Sequence, residues 1–151
     1  MVHFTEHDLT GRLREASHPC PQIMTEVITA VCRRFPSLGQ SDKTARIERL
    51  IIAGAWTDAS LALIDLELPL WRVRRLAYDA GEWHCALSCQ RELPDWLDQC
   101  VEGSHTDLSL AILTAFVEVQ RLSTPRTRAS VPVVARNVRA LCERACAATL
   151  S

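Results

Sequence analysis

The amino-acid sequence predicts an all-α fold of stacked αα-hairpins, about eight short helices in an array or bundle, followed by a basic C-terminal tail or helix. Three observations carry this expectation. The unit Gly54-Ala-Trp-Thr57-Asp58-Ala-Ser60-Leu61-Ala62-Leu63 recurs as Gly103-Ser-His-Thr106-Asp107-Leu-Ser109-Leu110-Ala111-Ile112, identical at six of ten positions and 49 residues apart. With a weaker copy starting at Gly81-Glu-Trp83, this suggests a helical repeat whose units stack because none can bury its apolar face alone. Apolar residues recur at helical spacing behind recognisable caps, and no segment shows the alternation or β-branched enrichment of a strand.

Helix 1 is expected from about Glu6 to Ala16, with Thr5 as N-cap and Phe4 stapled onto Leu9. His18-Pro19-Cys20-Pro21 breaks it, and Pro21 opens a second helix whose stripe Ile23, Val27, Val31 and Phe35 faces the core, with Arg33 and Arg34 at its negative end. Ser41 or Asp42 caps helix 3, which turns Ile47, Leu50 and Ile51 inward and stops at Gly54. Thr57 caps helix 4, whose leucines and Ile64 make it the most buried element expected. Pro69 opens helix 5, with Leu70, Val73, Leu76 and Ala77 inward and Arg72, Arg74 and Arg75 outward, and Gly81 ends it. Helix 6 runs from about Trp83 to Arg91 and helix 7 from Pro94 to Val101. Thr106 caps helix 8, where Leu108, Ile112, Ala115, Phe116 and Val119 form the longest regular stripe. The predicted core includes Leu61, Ile64, Leu66, Val73, Leu76, Leu97, Leu110 and Ile112.

With 151 residues and 48% hydrophobic content the chain suits one domain over residues 1–121, with 122–151 as an Arg-rich linker and an amphipathic C-terminal helix around Val134, Val138 and Leu141. No apolar run is long enough for a membrane span, and the N-terminal residues have neither the basic start nor the apolar core of a signal peptide. The seven cysteines are odd in number and sit mostly among apolar residues, which reads as reduced core thiols. The expected setting is the cytoplasm. From Ser41 to Arg121 there are 8 Lys/Arg against 13 Asp/Glu, a balance of −5, whereas residues 122–151 carry five arginines against Glu143 alone.

The most chemically suggestive cluster is His84, Cys85 and Cys89, with Asp95, Asp98, Cys100 or His105 to complete a tetrahedral metal site. Without a Cys-x-x-Cys pair the favoured reading is buried structural thiols, so neither a metal nor another cofactor is expected. Arg72, Arg74 and Arg75 on a helix after a short turn invite comparison with a helix-turn-helix that reaches phosphates or guanine edges, set against an acidic body. The sequence carries no Gly-x-Ser-x-Gly elbow, phosphate loop or His-Glu-x-x-His, so no catalytic residue is assigned. Trp71, Tyr78, Trp83 and Trp96 are candidate anchors of a binding surface.

The block Leu70-Trp-Arg-Val-Arg-Arg-Leu-Ala-Tyr-Asp-Ala-Gly-Glu-Trp-His-Cys-Ala-Leu-Ser88, with Glu92-Leu-Pro-Asp-Trp-Leu97 after it, resembles a group of short uncharacterised bacterial proteins. The resemblance covers roughly Phe4 to Arg121 and implies a bacterial cytoplasmic setting, with no activity or site residues attached. The expected function is a non-catalytic helical protein-interaction or regulatory module, with a protein partner or self-association. Nucleic-acid binding through Arg72, Arg74 and Arg75 is the alternative.

Overall fold

The computed structural model describes residues 6–37, 41–89 and 100–123. The elements there are α1 (Glu6–Glu15), α2 (Pro21–Val31), α3 (Arg34–Ser37), α4 (Asp42–Ile52), α5 (Trp56–Glu67), β1 (Arg72–Asp79), β2 (Glu82–Ser88), β3 (Val101–His105) and α6 (Leu108–Ser123). Thr5, Phe4, Trp96, Leu97 and residues 124–151 lie outside the described residues.

Helices form where local signals are strongest. Pro21 occupies the first turn of α2, and Ile23, Met24, Val27 and Val31 are its buried stripe. Ser41 caps α4 in a reciprocal box: the Thr44 amide donates to Ser41 Oγ at 3.3 Å, and the Ser41 amide donates to Thr44 Oγ1 at 3.1 Å. Gly54, at φ 72°, follows the Ala53 C-cap in the left-handed conformation that ends many helices. The stripe expected on the last helix is also present, with Ile112, Ala115, Phe116 and Val119 fully buried.

The all-α, helical-repeat expectation is corrected by a three-stranded antiparallel sheet in the order β1-β2-β3. Expected helix 5 is β1, expected helix 6 is β2, and Val101, the end of expected helix 7, begins β3. In β1 a bulge shifts the register between Val73 and Arg75, so the inward positions run Val73 then Leu76 instead of Val73 then Arg75. The bulge thus turns a period of two into a spacing of three that imitates a helix. In β2 the alternation is hidden for another reason: it is the central strand, and Cys85, Ala86, Leu87 and Ser88 are all buried.

The apparent repeat also has a different meaning. Ala55, not Thr57, is the N-cap of α5, while Asp107, not Thr106, caps α6 by accepting the Leu110 amide at Oδ1, 3.1 Å. Each copy is a helix start, and the two meet: Thr57 Oγ1 and Ser109 Oγ are hydrogen-bonded at 3.1 Å. Gly103 does not stop a helix but lies in β3.

The core is organised on α6, which packs on β3 and β2 on one side and on α1, α2 and α5 on the other. Gly103 permits this. A Cβ there would run into the backbone nitrogen of Ala115 and sit 2.8 Å from the carbonyl oxygen of Ala111. Ala111 and Ala115, four residues apart and fully buried, supply the matching small face of the helix. Of the expected core, Ile64, Leu66, Leu110 and Ile112 are buried, Leu61 and Val73 are half-buried, and Leu76 is exposed.

A buried carboxylate joins α2, α3 and α5. Glu67 ends α5 and accepts three backbone N–H groups: Arg33 at 3.0 Å and Arg34 at 3.1 Å on Oε2, and Phe35 at 2.6 Å on Oε1. Arg33 and Arg34 therefore follow α2 rather than forming its last turn, and their amides, with that of Phe35, start α3 on the carboxylate.

Two stability measurements follow. Gly103→Ala should lower the unfolding free energy by about 3 kcal/mol, because the added methyl meets helix backbone and not a side chain that can rotate away. Urea denaturation measures it, and an unchanged midpoint would contradict the close approach. Glu67→Ala should cost a similar amount, ~3 kcal/mol, by leaving three amides short of their acceptor. Glu67→Gln, which keeps one carbonyl oxygen in place, should cost less than Glu67→Ala.

Candidate interaction surface

Six of the seven sequence-predicted site residues fall on one hairpin or its approach. Trp71 leads into β1, Arg72, Arg74, Arg75 and Tyr78 lie on β1, and Trp83 lies on β2. The seventh, Trp96, lies outside the described residues. The helix-turn-helix reading is overturned, because the arginines stand on a strand and no recognition helix presents them.

The hairpin closes through Ala80-Gly81, whose φ values of 51° and 89° are those of a type I′ turn matched to strand twist. Its register sorts the side chains, since directly paired residues share a face. Val73 with Leu87, Leu76 with Cys85 and Tyr78 with Trp83 lie on the face toward α6. Arg75 with Ala86, Ala77 with His84 and Asp79 with Glu82 lie on the other.

On the α6 face, coverage runs out toward β1. Cys85 and Leu87 are completely buried, yet Leu76 is 41% and Tyr78 61% exposed. Tyr78 and Trp83 make a tilted cross-strand aromatic pair, with ring centroids 5.2 Å apart and planes at 56°. Leu70, just before the strand, is 57% exposed. Trp71 and Trp83 are half-buried against the core, so they support the patch more than they tip it.

On the opposite face the arginines are engaged. Arg75 Nη2 reaches across Ala86 to Glu102 Oε1 at 2.9 Å, an exposed pair that binds β1 to β3 over the small central residue. Arg72 Nη1 donates to the carbonyls of Pro69 and Trp71 at 3.1 and 2.9 Å and lies 3.7 Å from Asp65 Oδ1.

The metal cluster loses its geometric basis. Cys85 and Cys89 are not on one helix, and strand alternation places His84 on the face opposite Cys85. Among the described residues no group of three or more His, Cys, Asp or Glu side chains is placed to hold a metal. Cys20, Cys32 and Cys85 are free thiols, whereas Cys89 is disulfide-bonded, which corrects the reading of the cysteines as reduced core thiols. His105 is buried and plays a local part: its Nδ1 accepts the Asp107 amide at 2.9 Å and so shapes the entry to α6.

Two open clefts also occur, one of about 490 Å³ beside Asp8, Arg12, Glu15 and Cys20, the other of about 570 Å³ beside Arg34, Lys43, Asp65 and Pro69. Both are shallow and mixed in charge, unlike the enclosed apolar pocket of a small-molecule site. Among the described residues no helix is long and apolar enough to cross a membrane. No family model, curated protein or solved structure matches this chain.

Sequence reading missed Glu67 and Gly103. A carboxylate between two leucines, Leu66-Glu67-Leu68, was the available signal for the first, since a charge buried among leucines demands donors. The signal for the second was weaker, a glycine followed eight and twelve residues later by two alanines.

Burial pushes the Cys85 thiol from its ordinary 9.0 up to about 12, and Cys32 is raised by burial and then by the Glu67 charge. Both are neutral when folded, so the unfolded chain loses these protons first as pH rises. Their contribution is complete below about pH 9 and is lost progressively above it toward pH 12. Urea unfolding across that range should show stability falling in the wild type and falling less in Cys32→Ala/Cys85→Ala. Parallel slopes in the two proteins would contradict it.

Proposed function

We propose that this chain is a non-catalytic protein-interaction or regulatory module whose contact surface is the β1–β2 hairpin. The single observation that supports it is the exposure of Leu76 and Tyr78 on the same sheet face that elsewhere forms the core. Apolar side chains left open at the rim of a packed face are the ordinary anchors of a protein contact, and an aromatic such as Tyr78 contributes large area with little entropy to lose. The half-buried Trp83 holds the Tyr78 ring in place.

The nucleic-acid reading draws less support. Arg72 and Arg75 already have carboxylate and carbonyl partners, and the stretch from Ser41 to Arg121 has an acidic balance. A phosphate-binding face needs uncommitted cations and a net positive field.

Leu76→Asp/Tyr78→Asp should keep the circular dichroism of the wild type, because neither side chain is buried, and should weaken binding to a protein partner by about thirtyfold. Affinity capture with wild type and variant side by side, followed by titration of what the wild type retains, measures this. A variant that binds as well as the wild type would remove the hairpin from the contact.

A further inference from the structure

Resting on that reading of the hairpin, we infer that its partner is a second copy of this chain, joined by antiparallel pairing of the two β1 strands about a two-fold axis at Ala77. Among the described residues β1 pairs only with β2, so it is an edge strand. Edge strands are usually guarded by bulges and charged side chains. In β1 the bulge, Arg72 and Arg74 guard the first three residues. The second half, from Arg75 to Asp79, is regular and carries one charge at each end.

That half is self-complementary. Reading Arg75-Leu76-Ala77-Tyr78-Asp79 against its own reverse sets Arg75 opposite Asp79 of the partner subunit, Leu76 opposite Tyr78 of the partner subunit, and Ala77 on the axis. Each pair occurs twice by symmetry. Opposite charges fall on one face and apolar residues on the other, since Arg75 and Asp79 share the face of Ala86 and Glu82 while Leu76 and Tyr78 share that of Cys85 and Trp83. Arg75 holds Glu102 through Nη2 and would share its guanidinium between that carboxylate and Asp79 of the partner subunit.

The backbone agrees with this register. In an antiparallel ladder alternate residues turn both N–H and C=O toward the same neighbour. The two-residue turn makes Asp79 and Glu82 the closing pair, so Asp79, Ala77 and Arg75 face β2, and Leu76 and Tyr78 direct their N–H and C=O outward. Leu76 and Tyr78 are the residues that the two-fold register sets opposite each other. The pairing would also cover the two most exposed apolar side chains within the strand, Leu76 and Tyr78. Beyond Arg75 the bulge ends the match, which limits the contact to one closed pair of strands rather than an open-ended ladder.

Charge exchange tests the register. Arg75→Asp gives a strand acidic at both ends of the match, and Asp79→Arg gives one basic at both ends. Each should oppose its own copy, while one of each restores both opposite-charge pairs. Sedimentation equilibrium of each protein, checked for the wild-type circular dichroism spectrum, should find the wild type dimeric. Each variant should dissociate at least about tenfold more readily, and the equimolar mixture should return to wild-type affinity. A wild type that stays monomeric at about 100 μM, variants that dimerise as tightly as the wild type, or a mixture that fails to associate would each overturn self-pairing. The capture experiment with Leu76→Asp/Tyr78→Asp reports separately on the hairpin as a contact surface, so failure of the two-fold register and failure of the surface itself are distinguishable.

Discussion

Where β3 meets α6, a strand and a helix touch backbone to backbone. Gly103 has no side chain, and Ala111 and Ala115 present almost none, so the helix lies directly on the strand. Everything else in the described core is arranged around that contact. With α6 held this close, Cys85 and Leu87 of the neighbouring strand are fully enclosed, and the far side of the helix is free to receive α1, α2 and α5. The interior is close-packed, so a strand that cannot approach shifts every layer beyond it.

The helical layer has its own pin in Glu67. A carboxylate taken out of water is costly unless donors replace the lost hydration, and three consecutive amides do so here. The same charge sits near the Cys32 thiol and discourages its ionisation. A single side chain thus fixes where α2 ends, where α3 begins and how both meet α5, with the Thr57–Ser109 hydrogen bond joining α5 to the start of α6.

The exposed patch is a geometric by-product of this packing. One helix covers a limited width of sheet, and α6 is centred over β3 and β2. The outer strand β1 keeps an apolar face pattern but receives little cover, which leaves Leu76 and Tyr78 at the rim while Val73 and Trp71 are partly sheltered. The opposite face is closed more cheaply, by the Arg75–Glu102 pair laid over Ala86. Such an exposed pair adds little stability but occupies its arginine.

Local signals in the sequence determined the helices whose ends are written in short-range chemistry. Pro21, the Ser41–Thr44 box, Gly54 and the stripe from Ile112 to Val119 act within one or two turns, and the helices they specify are present. The sequence also singled out Trp71, Arg72, Arg74, Arg75, Tyr78 and Trp83 as surface candidates, although on helices rather than a hairpin. The strands were decided by tertiary structure. The bulge at Arg74 disguised the period of β1, burial on both faces disguised that of β2, and the brevity of β3 left Gly103 looking like a helix stop. Strand identity depends on which residues pair or pack across elements, here Gly103 against Ala111 and Ala115 and Cys85 between Leu76 and Gly103, and no pattern within one element encodes which residues will be opposite one another once the chain has folded.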